Sequence, residues 1–193
     1  MKRGESEIMN IIDELTWRGA VNQVSDEEGL RKLTEEKSVS LYCGVDPTGD
    51  SMHIGHLIPF MMLKRFQLAG HHPYIVIGGG TGVIGDPSGR KTERQLQTIE
   101  AIHDNADKLK AQFIHLFGED SNITIVNNYD WLSKLDLLGF LRDYGKLFSV
   151  NVMLAKEVVA SRLEAGISFT EFTYQILQSI DFEHLFAHND IQL

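Results

Sequence analysis

Two histidines three residues apart, His53 and His56, carry the densest chemical information in this chain. They stand in His53-Ile54-Gly55-His56, after an apolar run of strand length (Val39 to Val45) and a turn-forming stretch, Asp46-Pro47-Thr48-Gly49-Asp50-Ser51. An apolar-periodic helix follows and runs to Gly70, so both imidazoles share one face of its first turn. A helix start offers free backbone N–H groups and the positive end of the dipole, which suits a phosphate. Neutral imidazoles add N–H donors near pH 7 without needing a metal. Gly55 removes a side chain between them, so that a flat ring can approach the backbone. Two plainer readings stand beside this one. A His-x-x-His pair can bind a metal, although no suitably spaced third ligand is nearby, and two ordinary histidines can simply open a helix.

A second segment, Gly80-Thr81-Gly82-Val83-Ile84-Gly85, matches the dinucleotide fingerprint directly after a strand, which makes an NAD-dependent oxidoreductase an alternative function. That fingerprint needs its third glycine inside a helix, whereas Asp86-Pro87-Ser88-Gly89 follows at once and would break one. The ribose-binding acid, expected about 20 residues on, would fall mid-helix at Asp104 or Asp107. A Walker-type loop fails too: Gly89-Arg90-Lys91-Thr92 resembles its end, but Ile84 stands where the earlier glycine belongs. Arg90, Lys91 and Arg94 crowd an expected helix start, where the dipole disfavours cations. That placement suggests an anion such as the phosphates of ATP; a solvated basic loop is the bland alternative.

Further along, Tyr174, Gln178 and Asp181 fall at i, i+4 and i+7 on one line of a helix. Leu177, Phe182 and Leu185 flank that line, and Phe169, Phe172, Ile176 and Ile180 cover the opposite side. The line therefore reads as buried, and buried polar groups need partners.

The elements that position these residues follow from periodicity. Glu5 to Leu33 reads as helical, with Ile8, Ile11, Ile12 and Leu15 at helical spacing. Val39 to Val45, Pro73 to Ile77 and Ile123 to Val126 read as strands, the first two neighbouring and parallel in a βαβ unit. Pro59 is tolerable in the intervening helix if it lies in the first turn. Thr92 to Gly118 reads as a long amphipathic helix opened by a capping box, Thr92-x-x-Gln95. Its apolar positions are 96, 99, 102, 106, 109, 113 and 116. Helices are expected over Leu135 to Asp143, Ser149 to Glu164 and Ser168 to Ala187, the last opened by Ser168-x-x-Glu171. This alternation predicts an α/β fold with a doubly wound, mostly parallel sheet, whose ligands sit at the carboxyl ends of the strands.

With 193 residues the chain can bury one full core. No apolar run is long enough for a membrane span, and Met1-Lys2-Arg3-Gly4-Glu5-Ser6-Glu7 leads into no apolar segment of the kind a secretory signal needs. The single cysteine, Cys43, excludes an internal disulfide and fits a reducing compartment, so the expected location is cytoplasmic. A net charge of −9 argues, on composition alone, against a nucleic-acid partner.

The stretch from Tyr42 to His56 resembles the nucleotide-binding signature of class I aminoacyl-tRNA synthetases. Its Tyr42-Cys43-Gly44 start and Asp46-Pro47-Thr48 turn narrow the resemblance to the bacterial tyrosyl-tRNA synthetase family. Gly85-Asp86-Pro87-Ser88-Gly89 and Asn127-Asn128-Tyr129-Asp130-Trp131 are similar to segments of that family, and the resemblance runs from Leu15-Thr16-Trp17-Arg18-Gly19 to Ile191-Gln192-Leu193. It implies a helical segment over 1–38 and a Rossmann-like catalytic domain over 39–193.

The implied activity is ATP-dependent formation of tyrosyl-adenylate from L-tyrosine, with Mg2+ accompanying ATP, then transfer to tRNA(Tyr). No organic cofactor, resident metal or membrane is implied. By the resemblance, Gly44, Asp46, Thr48, His53, Gly55 and His56 bind ATP, and His53, His56, Thr48 and Arg90 assist catalysis. Cys43 falls near the ribose, although a core cysteine is the plainer reading. Asp86, Tyr174 and Gln178 would hold the tyrosine ammonium, while Tyr42 and Asp181 meet the phenol. Pro59 stands where other members place residues such as Thr. A homodimer is implied through the region matching Phe148 to Phe172, with Phe169 at its centre.

The family continues past Leu193 into a Gly-Gly-Ser-Asp-Gln segment, a Lys-Met-Ser-Lys-Ser-type loop and a tRNA-binding region. The sheet is thus expected to be incomplete at its C-terminal end and the tRNA-binding domain absent, leaving a chain that does not charge tRNA by itself. A non-catalytic, synthetase-like binding module is a further alternative, against which intact His53, His56, Asp86 and Asp181 argue. Tryptophanyl-tRNA synthetase is the nearest enzyme rival; Tyr42 with Asp181 favours tyrosine.

Overall fold

Three short apolar runs, rich in residues that suit a pleated surface, become β1 (Ser40–Val45), β2 (His72–Ile77) and β3 (Thr124–Asn127) of a parallel sheet in the order β1-β2-β3. The computed structural model describes residues 9–86, 96–119, 121–164 and 166–193. Register places Tyr42 beside Tyr74, Gly44 beside Val76, and Ile77 beside Asn127. Ile191 bridges Ser40 in parallel, and the Tyr42 amide donates to the Leu193 carbonyl at 2.9 Å. The final residues thus pair with the edge of β1 that β2 leaves open.

Strand side chains alternate between faces, and each face has its own cover. Leu41, Val45 and Ile75 pack against Ile11, Ile12 and Leu15 of α1 (Ile11–Trp17), Phe60, Leu63 and Phe66 of α3 (Ile54–Leu68), and Leu109, Phe113 and Phe117 of α5 (Ile99–Phe117). Tyr74 and Val76 point the other way, toward Leu185 of α10 (Phe169–Asn189) and Trp131 of α6 (Tyr129–Leu132). Helices on both faces of a parallel sheet make the doubly wound α/β arrangement expected from the element order. Burial of a side chain as large as Phe113, fully enclosed here, contributes about 1.5–3 kcal/mol.

Several boundaries differ from expectation, each for a local reason. The N-terminal helical segment is two helices, α1 and α2 (Glu27–Glu36), separated where Gly19 takes a φ of 67° and restarted by Asp26, which accepts from the Gly29 amide at 2.9 Å. Pro59 is the sixth residue of α3, in its second turn rather than its first, so the helix tolerates one missing amide bond. Helix α5 starts at Ile99 and not at Thr92: residues 96–98 are not helical, and the Thr98 hydroxyl caps by accepting from the Ala101 amide at 3.2 Å. Leu96 and Ile99 are accordingly exposed. The expected capping box at Thr92 and Gln95 lies outside the described residues. Gly118 does end α5.

A four-residue helix, α4 (Thr81–Ile84), follows β2. Where one helix was expected over 135–143, Asp136 caps only a short turn, α7 (Leu137–Gly139), which continues as a π turn over Phe140–Tyr144 and a 3₁₀ turn over Gly145–Leu147. Gly139 and Gly145 weaken a regular helix there. The expected helix over 149–164 is broken into α8 (Val150–Ala155) and α9 (Glu157–Ala160) by extended backbone at Lys156. Its buried apolar residues are Met153 and Val159, and a spacing of six puts them on different faces of a straight helix. The break lets both turn inward. No helix among the described residues is long and apolar enough to cross a membrane.

Helix α10 is capped by the Ser168 hydroxyl, which accepts from the Glu171 amide at 3.3 Å. The Glu171 side chain does not complete a capping box. It pairs instead with Arg162 at 2.9 Å, both side chains being at most 4% exposed. Removing one partner of a buried ion pair strands the other charge, at about 3–5 kcal/mol. Arg162→Met and Glu171→Leu should each lower unfolding free energy by that order in urea titrations, and the double variant should recover much of the loss. Additive losses in the double variant would contradict this account.

Candidate active site

Each strand delivers a distinctive residue at its carboxyl end: Asp46 after β1, Gly78 after β2 and Asn128 after β3. Gly78 is needed for close approach, because a Cβ there would collide with the side-chain oxygens of Asp46 and Thr81. Those two oxygens form the first link of a polar chain across the strand ends. The Thr81 hydroxyl donates to Asp46 Oδ1 at 2.6 Å, and the Tyr174 hydroxyl donates to Asp46 Oδ2 at 2.9 Å. Asn128, 1% exposed, donates through Nδ2 to Thr81 Oγ1 at 3.0 Å and to Asp181 Oδ2 at 2.9 Å. Its Oδ1 accepts from the Gly80 amide at 2.7 Å. The Trp131 indole N–H donates to Asp181 Oδ1 at 2.8 Å.

This chain of bonds forms part of the wall of a cavity of about 480 Å³. The wall includes Tyr42, Cys43, Gly44, Asp46, Thr48, His56, Asp86, Tyr174, Gln178 and Asp181. Most of the residues singled out from sequence thus meet in one place, although they come from widely separated parts of the chain. Within the expected buried line, Tyr174 and Asp181 are buried, whereas Gln178 is exposed. The line is therefore not buried throughout, although Gln178 still lines the cavity.

Burial and crowded carboxylates govern the electrostatics. The Asp181 carboxyl is pushed up to about 6, chiefly by burial and further by Asp46, against the opposing bonds from Asn128 and Trp131. Burial, then the Asp181 charge, pushes the Tyr42 phenol up to about 12. Tyr174 is raised further, by burial and by the charges of Asp46 and Asp86. Both tyrosines therefore stay protonated donors at neutral pH. Burial pushes the Cys43 thiol up to about 11, which leaves it a poor nucleophile.

At the start of α3, His53 Nδ1 accepts from the Gly55 amide at 3.1 Å, and His56 Nδ1 accepts from the His53 amide at 3.4 Å. The two rings stack with centroids 3.7 Å apart. With both Nδ1 atoms accepting, each neutral ring carries its proton on Nε2, turned away from the helix backbone. Gly55 is required here, since a Cβ would sit 2.9 Å from His53 Cε1. The flat ring that Gly55 admits in this structure is the His53 imidazole itself. His56 lines the cavity, and burial followed by the neighbouring His53 holds it below the usual histidine value. His53 and Gly55 do not line the cavity; they sit exposed beside it at the helix start.

The turn between β1 and α3 is fastened by α5 and by Gln97 just ahead of it. Asn105 Nδ2 donates to the Pro47 carbonyl at 3.1 Å, Gln97 Nε2 to the Thr48 carbonyl at 2.8 Å, and Gln112 bonds both the Asp50 carbonyl and the Met52 amide. These anchors, like Thr81, Asn128 and Trp131, escaped the sequence reading. Thr81 was hidden in the dinucleotide-like run, and Asn128 and Trp131 lay in a similar segment to which no role was given. The dinucleotide loop itself is not built. Gly85 has a φ of 89° and ends α4 rather than sitting within a helix, and Asp104 and Asp107 are exposed on α5. Arg90, with Lys91 and Arg94, lies outside the described residues. Phe169 is 72% exposed at the first turn of α10, away from the cavity wall. Among the described residues no group of three or more His, Cys, Asp or Glu is placed to hold a metal.

The family model for class I tRNA synthetases (W and Y) matches residues 34–193. A tyrosine–tRNA ligase of Ligilactobacillus salivarius is 78% identical over 185 residues, covering 96% of this chain and 44% of the relative. One from Latilactobacillus sakei is 76% identical over 184 residues, covering 95% and 44%. The chain thus spans less than half the length of these curated relatives. Among solved structures, a C-terminally truncated mitochondrial tyrosyl-tRNA synthetase of Aspergillus nidulans superposes with a TM-score of 0.84 at 33% identity, covering 94% of this chain and 55% of that one. An Archaeoglobus fulgidus tyrosyl-tRNA synthetase complexed with L-tyrosine shares the fold at a TM-score of 0.69 and 22% identity, covering 90% and 52%.

The raised Asp181 carboxyl has a thermodynamic consequence. Its folded value, about 6, exceeds the ordinary 3.8, so the folded state binds the proton more tightly and loses stability as pH rises from about 4 to about 6. The loss attributable to Asp181 is of order 3 kcal/mol, at about 1.4 kcal/mol per pH unit. Urea titrations from pH 4 to 8 should show a wild-type decline that Asp181→Asn reduces. Parallel curves for the two proteins would contradict the assignment.

Proposed function

This chain belongs to the class I tRNA synthetases of the tryptophan and tyrosine type, and we propose that it forms the ATP- and tyrosine-binding part of a tyrosine–tRNA ligase. The observation that carries the reading is one cavity whose wall holds both a phenol-matching pair, Tyr42 and Asp181, and a phosphate-matching helix start, His56 with Thr48 and Gly44. Tyr42 and Asp46 are separated by four strand steps, about 13 Å, which leaves room for two substrates in a row.

In this reading the phenol hydroxyl of tyrosine donates to Asp181 and accepts from Tyr42. Phenylalanine would take the hydroxyl partner from the buried Asp181 and the half-buried Tyr42, at about 1–3 kcal/mol for a buried group left unsatisfied. That supports tyrosine over phenylalanine, and the same hydroxyl-matching pair supports tyrosine over tryptophan. Asp86 and Gln178, with Asp46 and Tyr174, would receive the α-ammonium, a cation suited to a wall rich in carboxylates. Gly44, Asp46 and Gly55 would lie along ATP. The tyrosine carboxylate attacks the α-phosphorus, a new O–P bond forms, and the bond to pyrophosphate breaks with its electron pair going to the leaving oxygen. No proton moves in this step, so positioning and charge stabilisation carry it. His53 and His56 supply Nε2–H donors and Thr48 a hydroxyl, and Arg90 adds charge toward the pyrophosphate. Mg2+ would arrive with the phosphates of ATP, and no organic cofactor is needed.

The whole protein would then pass the tyrosyl group to tRNA(Tyr). A cytoplasmic location accords with the single cysteine of this chain.

ATP–pyrophosphate exchange by a protein carrying this chain at the full length of its relatives tests the reading. Exchange should depend on L-tyrosine, with tryptophan inert and phenylalanine far weaker; exchange driven by tryptophan would overturn the substrate. His53→Ala and His56→Ala should each slow adenylate formation by about 1–4 kcal/mol of barrier with little change in tyrosine affinity. Unchanged single-turnover rates in both would remove the histidines from the mechanism.

We further propose a homodimer that covers Phe169, a large apolar side chain 72% exposed in the single chain. A two-fold contact brings the same patch from both copies together, and a charge buried there has no partner. Phe169→Asp should therefore sediment as a monomer where the wild type is a dimer. A monomeric wild type, or a variant that stays a tight dimer, would end this proposal.

A further inference from the structure

An aromatic column beside the cavity has no part in the chemistry above. His184 and His188 lie one turn apart on α10, and their rings stack with centroids 4.3 Å apart and planes 22° apart. The Trp131 indole also stacks on His184, at 4.4 Å and 12°. A ring stacked on two neighbours at such distances must carry one on each face, so the order is Trp131, His184, His188. The outer end is pinned to the helix, since His188 Nδ1 is joined to the His184 carbonyl at 2.9 Å. The inner end is pinned to the cavity, since the Trp131 indole N–H donates to Asp181 Oδ1 at 2.8 Å.

We propose that His184 is a positioning residue for tyrosine recognition: its ring holds the Trp131 indole in the plane that lets Nε1–H fix the Asp181 carboxylate for the phenol. The inference rests on the reading of the cavity as a tyrosine site. Three features support it. The backbone under Trp131 is a single helical turn, α6, and so gives the indole little hold of its own. An indole N–H lies in the ring plane, so tilting the ring swings the donor away from its acceptor. Among the described residues Asp181 accepts from one other side chain, Asn128, and loss of the Trp131 bond would let the carboxylate turn about that anchor. Burial, then His188 and Lys134, hold the His184 imidazole below the usual histidine value against the opposing Glu183, which favours its neutral form. The family signature residues do not include His184, and the column was not foreseen from sequence because its i, i+4 spacing with His188 looks like an ordinary solvated face.

The test compares wild type, His184→Ala and His184→Phe, which keeps a flat ring, in tyrosine- and phenylalanine-dependent ATP–pyrophosphate exchange by the full-length protein. His184→Ala should lower the preference for tyrosine over phenylalanine by about 3- to 10-fold, the weight of one aromatic pair. The loss should fall on KM for tyrosine, with KM for ATP changed by less than about twofold. His184→Phe should restore the preference, and Trp131 fluorescence should report the restored stack. If His184→Ala fails to fold, His184→Leu replaces it with the same expectation. A preference kept by the Ala or Leu variant, or tyrosine and phenylalanine use lost in parallel, overturns the inference while leaving the tyrosine site standing. Absence of tyrosine-dependent exchange in the wild type itself would bring down the tyrosine site and the inference together.

Discussion

Holding Asp46 and Asp181 in one cavity is the constraint on which the rest of this structure depends. Two carboxylates in a partly dry space repel each other and lose hydration, a cost that only well-aimed donors offset. Asn128 meets it from the middle. One amide group bonds Thr81, Asp181 and the Gly80 backbone, and Thr81 passes the connection to Asp46. Because these residues follow three different strands, the bond network also locks the carboxyl ends of the sheet to one another. A polar chain of this kind specifies a single arrangement, since any slip leaves a buried group unsatisfied.

The same network explains why the site can recognise and position without acid–base chemistry. Its tyrosines remain protonated, its cysteine remains a thiol, and its histidines turn Nε2–H outward because both Nδ1 atoms are engaged by backbone amides. These groups are donors fixed in advance, and a fixed dipole is worth more than one that must reorganise. The negative wall formed by Asp46, Asp86 and Asp181 suits an ammonium, whereas the start of α3 suits a phosphate. The site is polarised along β1, and that polarity follows from where the strand ends and the next helix begins.

The α5 helix contributes through side chains rather than through the sheet. Its apolar stripe closes the core, while Asn105 and Gln112, with Gln97 just ahead of the helix, bind the carbonyls and amide of the turn that carries Thr48. One face thus supplies stability and an adjacent one supplies precision. Turns of this sort otherwise fray, because backbone groups without partners bind water and wander.

From sequence alone, strand and helix periodicity determined the doubly wound architecture, the types and spacing of His53, His56, Tyr174, Gln178 and Asp181 determined which residues to watch, and the family resemblance added Tyr42 and Asp86. Local patterns suffice there, because period and helix position are properties of neighbouring residues. Periodicity misled at α5, where an apolar Leu96 extended a stripe beyond the cap that Thr98 imposes, and at Lys156, where only the distant core requires Met153 and Val159 to face the same way. Tertiary structure alone decided that Tyr174 reaches Asp46 across 128 positions, that Asn128 and Trp131 hold Asp181, and that Gly55 makes room for a histidine of its own helix. Such contacts join residues that no local rule connects. They exist because a parallel sheet gathers the ends of its strands on one edge, where polar groups with no water nearby must find one another.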